Sequence, residues 1–399
     1  MFFLEGLRDY INHCFRHILA WCDLVNFEYK HPTKVLFGEN TLEKLGEEAS
    51  VLGKKALVVT GRTFAKKYGY IDRIRKILEE RGVKAFFFSE VEPNPSIETV
   101  KRGVEVAKME GVDLFIAFGG GSPMDAAKAI DVVYAFGGAV EEWIYPNKVV
   151  KEKPYPIIAI PTTHGTGSEV TKYSVLTDTK AGKKVVVVGE GILPDVAILD
   201  SSVLEHLPKV QAASTGLDAL SHAIEAYFSK RSNPLSDLFA LESTRIVFES
   251  LPCSVEGDMK CREQVFYASM LAGYAINIAG TNIGHGLGYE LTVRKGLPHG
   301  FANLMILPEA CVYYERYLPD KTRRLLEYIG LKGIPGGLKE AILLLKRKVG
   351  APMSLREIGV TREELDSIIE KALTYERNLS NSPVELSRED VRKIFENIF

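Results

Sequence analysis

Few cysteines and no long apolar run occur in this sequence, and each scarcity excludes a class of protein. Five cysteines among 399 residues form no CxxC pair, and the eight-residue spacing within two pairs suits metal binding poorly. No apolar stretch reaches the roughly 18 residues needed to cross a bilayer, and the N-terminus lacks the basic start of a secretory signal. We therefore expect a cytoplasmic protein with reduced thiols at Cys14, Cys22, Cys253, Cys261 and Cys311.

A surplus of either charge is also missing. Fifty Lys and Arg residues face 52 Asp and Glu residues, which leaves a net charge of -2. Nucleic-acid binders need a basic surplus for phosphate contacts, so neither a nucleic acid nor a membrane is an expected partner. At roughly 150 residues per domain, the length suggests two or three domains.

The distribution of apolar residues divides the chain into three parts. Residues 1–25 repeat apolar side chains every three or four positions, which predicts a helical N-terminal extension. Residues 26–200 alternate short β-branched runs with helical segments, which is typical of an α/β doubly wound parallel sheet. Residues 201–399 have only helical periodicity and predict an all-α domain. Strands are expected at 56–60, 85–88, 114–118, 157–160, 185–188 and 196–199, with helices at 71–81, 99–109 and 124–133.

A glycine-rich loop follows the predicted strand 114–118 directly. Gly119, Gly120, Gly121 and Ser122 lack bulky side chains, so their backbone can approach an anion closely. The next helix, which carries Asp125, offers unpaired N–H groups and its dipole to a pyrophosphate. The loop is not a GxGxxG fingerprint, so the acidic ribose partner of that motif is not assumed.

Two further strand ends carry candidate nucleotide contacts. Hydroxyl groups follow strand 157–160 and suit a sugar–phosphate contact, although an ordinary polar turn is an alternative; they belong to Thr162, Thr163, Thr166 and Ser168. Gly61 and Arg62 follow the first strand, where an acidic residue would bind a ribose 2′-hydroxyl and repel a 2′-phosphate. Their presence favours NADP, with NAD still possible.

Four side chains in the helical half suggest a metal site. Asp218 and His222 are one helical turn apart and project from the same face. His285 and His299 follow in apolar, glycine-rich surroundings. One carboxylate with three imidazoles suits Fe²⁺, Zn²⁺ or another first-row divalent ion, which would polarise a carbonyl.

Over about residues 26–399, the chain resembles the iron-containing (group III) alcohol dehydrogenase family. The resemblance is carried by five motifs in order: residues 92–95, 119–128, 161–170, 218–227, and the fourteen-residue spacing of His285 and His299. It implies a Rossmann-like domain followed by an all-α domain, the architecture of dehydroquinate synthase. It places the metal ligands on the same four residues and adds Asn94 and Lys184 as nucleotide contacts. Family members that use NAD carry an Asp where Gly61 stands, which supports NADP.

Two positions depart from the family pattern. Tyr289 stands where many members have a second histidine lining the pocket, and His164 stands where alanine is usual, close to the expected nicotinamide. Together with His285, these two residues are the candidate catalytic residues.

These features predict NADP(H)-linked interconversion of a small alcohol with an aldehyde or ketone by a homo-oligomeric enzyme. Alternatives are a dehydroquinate synthase-like lyase, a glycerol dehydrogenase-like polyol oxidoreductase, a metallohydrolase and a non-catalytic nucleotide-binding protein. The lyase needs a basic phosphate-binding cluster, which is not evident, and the hydrolase leaves the two loops without a purpose. The complete set of four ligands argues against the non-catalytic alternative.

Overall fold

A six-stranded parallel sheet forms the first half of the protein, as described by a computed structural model of residues 26–399. The predicted helix in residues 1–25, with Cys14 and Cys22, lies outside the described residues. The sheet has the strand order β1-β8-β5-β4-β2-β3. Its strands are β1 Lys34–Phe37, β2 Lys55–Gly61, β3 Lys84–Val91, β4 Leu114–Gly119, β5 Ile157–Pro161 and β8 Val196–Leu199.

Apolar side chains cover both faces of this sheet, as the β-branched runs predict. Along β2 and β4, alternate residues enter two separate cores: Leu57 and Phe115 pack on one face, and Val58 and Ile116 on the other. Five helices accompany the sheet: α1 Leu45–Leu52, α2 Phe64–Lys67, α3 Tyr70–Glu79, α4 Ile97–Glu110 and α5 Gly121–Phe136. The predicted doubly wound fold is therefore confirmed.

The strand order changes direction between β2 and β4, and this point locates the ligand cleft. From β2 the chain adds β3 on one side and then β4 on the other. In the parallel register Thr60 lies beside Phe118, so Gly61 and Gly119 end neighbouring strands. Ligands of open α/β sheets bind beyond the carboxyl ends of strands at such a point.

A two-stranded antiparallel hairpin stands apart from the sheet. It pairs β6 Tyr173–Asp178 with β7 Lys183–Val188, so the strand predicted at 185–188 exists but belongs to this hairpin. β6 was missed because its side chains are mixed in character and only Ser174 and Leu176 are buried. β1 was also missed, since it is four residues long and none of its side chains is fully buried.

The second half of the protein is helical, as predicted. The last sheet strand ends at Leu199, a 3-10 segment covers Ser201–His206, and the first long helix begins at Lys209. The helices are α6 Lys209–Tyr227, α7 Pro234–Glu256, α8 Met259–Ala279, α9 Ile283–Lys295, α10 His299–Tyr317, α11 Pro319–Tyr328, α12 Gly337–Lys348, α13 Arg362–Ala372, α14 Glu376–Leu379 and α15 Arg388–Asn397. None of the helices in residues 26–399 has the length and apolar character needed to cross a bilayer.

The prediction of five reduced thiols is wrong for one pair. Cys253 and Cys261 form a disulfide with their Cα atoms 5.8 Å apart. The eight-residue spacing suits metal binding poorly, but it spans the tight turn at Gly257 between α7 and α8 and brings the two thiols together. Cys311 is a free, buried thiol.

Lys346 is an unusual part of the helical core. Its side chain is buried, and the only hydrogen-bond partner among the described residues is the Met305 sulfur, 3.9 Å from Nζ. Burial lowers the pKa of Lys346 to about 8, because the ammonium loses hydration without gaining an oxygen partner.

We predict that Lys346→Met stabilises the folded protein at pH 7, by up to about 3 kcal/mol from the difference between the two pKa values. In the parent chain, the unfolded state binds more protons than the folded state between about pH 8 and 10.5, so stability should rise with pH there. Urea unfolding from pH 7 to 10.5 measures both effects. The exposed Lys348→Met is the control and should change stability by under about 0.5 kcal/mol. Equal stabilities of parent and Lys346→Met at pH 7 would contradict the prediction.

Candidate functional site

A cleft of about 1780 Å³ lies between the carboxyl edge of the sheet and the helical half. The residues predicted to bind nucleotide all line it: Gly61, Arg62, Asn94, Gly119, Gly120, Gly121, Ser122, Asp125, Thr162, Thr163, Thr166, Ser168 and Lys184. So do Tyr289 and the four predicted metal ligands, Asp218, His222, His285 and His299. One cleft therefore holds both halves of the predicted site.

The glycine loop packs directly against residues 162–168, the threonine loop, which follows β5. A Cβ at Gly121 would lie 2.7 Å from Thr166 Cγ2, so no other residue fits here without displacing that loop. α5 begins at Gly121, three residues earlier than predicted, and its N-cap Gly120 has no side chain to occupy the first N–H groups. Those donors and the helix dipole face the cleft as a site for a pyrophosphate.

Buried charged groups tie the threonine loop to α5. Asp125 accepts hydrogen bonds from Ser168 Oγ at 2.8 Å and Val175 N at 3.0 Å. Lys128 Nζ donates to the carbonyl oxygens of Ser168 and Thr171 at 2.7 and 2.8 Å. Burial raises the pKa of Asp125 and lowers that of Lys128 to about 8. Because both Asp125 oxygens have protein partners, this carboxylate holds the threonine loop and β6 against α5.

Lys184 places a cationic group on the cleft wall. Its Nζ donates to Asn94 Oδ1 at 2.7 Å and to Thr177 Oγ1 at 3.2 Å. Asn94 in turn donates its backbone N–H to Ser122 Oγ at 3.1 Å, which fixes this lysine relative to the glycine loop. Burial lowers the pKa of Lys184 to about 8, so an incoming anionic group would stabilise its charged form.

The four candidate ligands converge from three helices. Donor atoms of Asp218, His285 and His299 all lie within 4.8 Å of one another. His222 is outside that tightest group, but its Nε2 is 4.0 Å from Asp218 Oδ1. Gly300 permits the convergence, since a Cβ there would lie 1.8 Å from the Ser214 carbonyl oxygen. α10 can therefore begin against α6 and bring His299 Nε2 to 3.9 Å from Asp218 Oδ1.

Neighbouring groups fix which imidazole nitrogens face the cluster. His285 Nδ1 is 2.7 Å from Glu225 Oε1, and His222 Nδ1 is 3.2 Å from the Gly165 carbonyl oxygen. Acceptors at both positions place the proton on Nδ1 and leave Nε2 as a lone-pair donor. Burial lowers the pKa of His222 to about 3, so this ring is neutral at pH 7.

The donor set fits a divalent first-row cation. Burial lowers the pKa of His299 to about 3, which keeps this ring neutral as well. Burial disfavours charge on His285, but the carboxylate of Glu225 outweighs it and raises the pKa of that imidazole. Imidazole nitrogens and one carboxylate are the ligands that such ions prefer.

Two residues of the site were not assigned a role from the sequence. Glu225 is seven residues after Asp218 on the same face of α6, and its carboxylate orients His285. Asn303 is one helical turn after His299, and its Nδ2 lies 3.0–3.1 Å from three of the ligand atoms. In both cases, helical spacing from a predicted ligand is the signal that could have identified them.

Tyr289 forms an aromatic wall beside the cluster. Its ring stacks on that of His299 at a centroid distance of 5.3 Å and an interplanar angle of 8°. It also lies 5.2 Å from the ring of Tyr375. Burial raises the pKa of Tyr289, so its hydroxyl stays protonated and can act as a hydrogen-bond donor in the cleft.

His164 does not lie where the sequence reasoning put it. Its side chain is fully buried and is not among the residues that line the cleft. Nε2 is 2.9 Å from Ser254 Oγ, and Nδ1 is 3.2 Å from Thr215 Oγ1. The threonine loop turns this side chain towards α6 and α7 and away from the cleft, so this arrangement does not support the expected contact with nicotinamide or substrate.

Comparisons with known proteins agree with this geometry. The sequence model described as iron-containing alcohol dehydrogenase matches residues 32–201, and that of the Fe-containing alcohol dehydrogenase family, C-terminal, matches residues 212–399. An NADPH-dependent butanol dehydrogenase of Clostridium saccharobutylicum is 35% identical, with 92% of this chain and 97% of that protein covered. An NAD-dependent methanol dehydrogenase of Bacillus methanolicus is 33% identical, with coverages of 92% and 98%.

Solved structures show the same similarity. The crystal structure of a 1,3-propanediol oxidoreductase superposes with a TM-score of 0.87 at 33% identity, over 94% of this chain and all of that one. The crystal structure of an iron-containing alcohol dehydrogenase has a TM-score of 0.85 at 37% identity, over 94% and 99% of the two chains.

We predict that His164→Ala lowers stability more than activity. The variant leaves the Ser254 and Thr215 hydroxyls without their partner, which costs about 2 kcal/mol of unfolding free energy. kcat should change by less than about threefold, because the ring does not reach the cleft. Urea unfolding and steady-state kinetics measure the two quantities. A hundredfold lower kcat at unchanged stability would restore a catalytic role.

Proposed function

The chain belongs to the iron-containing alcohol dehydrogenase family, and on this premise we propose that it interconverts a small alcohol with its aldehyde or ketone using NADP(H). As a member, it is an oxidoreductase of the iron-type alcohol dehydrogenases. The observation that carries the proposal is the single cleft in which the glycine loop and the Asp218–His285–His299 cluster face each other. The preference for NADP, the substrate and the identity of the metal are parts of the proposal.

Residues of the chain have separate tasks in this reaction. The first N–H groups of α5 would bind the pyrophosphate, and the hydroxyls of the threonine loop would orient the sugar. Asp218, His222, His285 and His299 would hold Fe²⁺, with Zn²⁺ or another divalent ion as alternatives. When bound, that ion supplies Lewis-acid polarisation of the substrate oxygen.

The aromatic side chains of Tyr289 and Tyr375 would position the substrate. Tyr289 and Tyr375 border the cleft beside the cluster, and the Tyr289 hydroxyl is protonated and able to donate to a substrate oxygen. Oxidation of the alcohol transfers a hydride to NADP⁺ and releases one proton, and reduction of the carbonyl reverses both transfers.

The NADP preference is supported by the end of β2. Gly61 brings no acidic group to the ribose position, and Arg62 lies at the same end of the cleft. Arg62 Nη2 is 3.6 Å from Glu92 Oε2, and its Nε donates to the Glu90 carbonyl oxygen at 3.0 Å. The Clostridium relative is named for NADPH and the Bacillus relative for NAD, so the family includes both.

The proposal includes a homo-oligomer, because the family resemblance implies one. It also keeps the cytoplasmic location that the sequence predicts, although the Cys253–Cys261 disulfide does not support that location.

Gly61→Asp tests the cofactor preference. A Cβ at this position meets nothing closer than the Val91 carbonyl oxygen at 3.7 Å, so an aspartate fits without a clash. We expect the ratio of kcat/KM for NADP to that for NAD to fall by about tenfold or more, since the new carboxylate repels a 2′-phosphate and can bind a 2′-hydroxyl.

Ser367→Asp adds the same charge on exposed α13, outside the cleft, and should leave the ratio unchanged. Initial rates at 340 nm with both cofactors give the ratios. An unaltered ratio in Gly61→Asp would contradict the NADP assignment.

His285→Ala tests the metal cluster. The variant removes a donor atom and the imidazole that pairs with the buried Glu225 carboxylate, so bound metal and turnover should both fall to background. His206→Ala is the matched control, because His206 stacks on Tyr68 away from the cluster. Elemental analysis of protein purified without chelator, together with the 340 nm assay, gives both readings. Normal turnover by metal-free His285→Ala would refute the proposed function.

A further inference from the structure

The side chain of Asn303 occupies the floor of the metal cluster. Its Nδ2 is 3.0 Å from Asp218 Oδ1 and 3.1 Å from both His285 Nε2 and His299 Nε2. These are the three donor atoms that lie within 4.8 Å of one another. A single neutral amide thus contacts the whole group while supplying none of the four predicted ligands.

Such contacts counter the repulsion within the group. A carboxylate oxygen and two imidazole lone pairs, brought this close in a buried site, repel one another. The amide NH₂ has two hydrogens, which it can share among these three neighbouring acceptors, and it adds no net charge. It can therefore hold the three donors together without competing with a cation through its own charge.

The fold makes specific room for this side chain. A Cβ at Gly288 on α9 would lie 2.7 Å from Asn303 Oδ1, so a larger residue there would displace the amide. Oδ1 itself is buried and has no hydrogen-bond partner among residues 26–399. An unpaired buried carbonyl oxygen costs about 1–3 kcal/mol. Since a leucine of similar shape would avoid that cost, fold stability alone does not account for an asparagine here.

We propose that Asn303 is a positioning residue that assembles Asp218, His285 and His299 for the divalent cation. The inference rests on the metal site of the proposed function and adds a residue that acts on the ligands. When the cation takes the imidazole lone pairs, the bonds from Nδ2 to those nitrogens are given up, whereas a carboxylate oxygen has a further lone pair for the bond to Asp218. Asn303 thereby keeps the three donor atoms ordered before the cation binds.

Asn303→Leu tests this proposal, with Co²⁺ as the probe. We expect the Kd of the metal-stripped variant for Co²⁺ to rise by about 10- to 100-fold, the usual effect of losing a group that orients ligands. The Co²⁺ absorption spectrum should change as well, because the donor geometry is less well defined. Thermal unfolding of the metal-free protein reports the effect on the fold alone.

Asn277→Leu is the matched control. Asn277 is a buried amide on α8 that accepts a hydrogen bond from Lys172 N at 2.9 Å and is not among the cleft-lining residues. Its loss should lower the Tm of the metal-free protein while leaving the Co²⁺ Kd within about twofold of the parent. A merely structural role for Asn303 would give the same pattern as this control.

The outcomes separate the two proposals. A folded Asn303→Leu protein with the parental Kd and spectrum overturns the role of Asn303 alone. Failure of the parent to bind Co²⁺ overturns the metal site and this inference together.

If Asn303→Leu does not fold, Asn303→Ser replaces it, and a tenfold higher Kd is again expected because a serine hydroxyl is too short to reach all three donors. A parental Kd in that folded variant overturns the inference.

Discussion

The buried carboxylate of Glu225 is the interaction around which the helical half is arranged. It accepts hydrogen bonds from Ser221 Oγ at 2.6 Å, Asn282 N at 2.7 Å and His285 Nδ1 at 2.7 Å. A Cβ at Gly284 would come within 2.5 Å of its Oε1, so the start of α9 can reach α6 only with glycine there. A carboxylate buried this deeply is tolerated because both of its oxygens accept hydrogen bonds, one of them from His285 Nδ1. Loss of this contact would free the His285 imidazole, a proposed metal ligand, and would loosen the junction of α6 and α9 as well.

A second set of buried polar contacts joins this cluster to the nucleotide loops. Lys128 donates to the carbonyl oxygens of Ser168 in the threonine loop and of Thr171 just after it. The Gly165 carbonyl oxygen of the same loop orients His222. The loop proposed to hold the sugar therefore also orients a proposed metal ligand. One segment of the chain would thus position both the cofactor and the ion.

Sequence reasoning reached the parts of the site that depend on local spacing. Asp218 and His222 share a helix face, and a run of glycines at a strand end indicates an anion site in any α/β sheet. The sequence did not predict features that depend on contacts between residues far apart in the chain. The direction of His164 depends on Thr215 and Ser254, 51 and 90 residues away, and the role of Asn303 depends on a meeting of three helices. The Cys253–Cys261 bond was not predicted for another reason. Cysteine content indicates only whether the cellular compartment is oxidising, whereas this bond depends on the turn at Gly257.

The contacts between the β6–β7 hairpin and the C-terminal region restrict the opening of the cleft on this side. The Tyr375 hydroxyl accepts a hydrogen bond from Lys184 N at 3.2 Å, and Lys371 Nζ donates to the Ala181 carbonyl oxygen at 3.2 Å. These two bonds bridge the rim on the hairpin side. The hairpin that carries Lys184 is therefore tied to the segment that carries Tyr375, so the two cannot separate on this side of the cleft unless both bonds break.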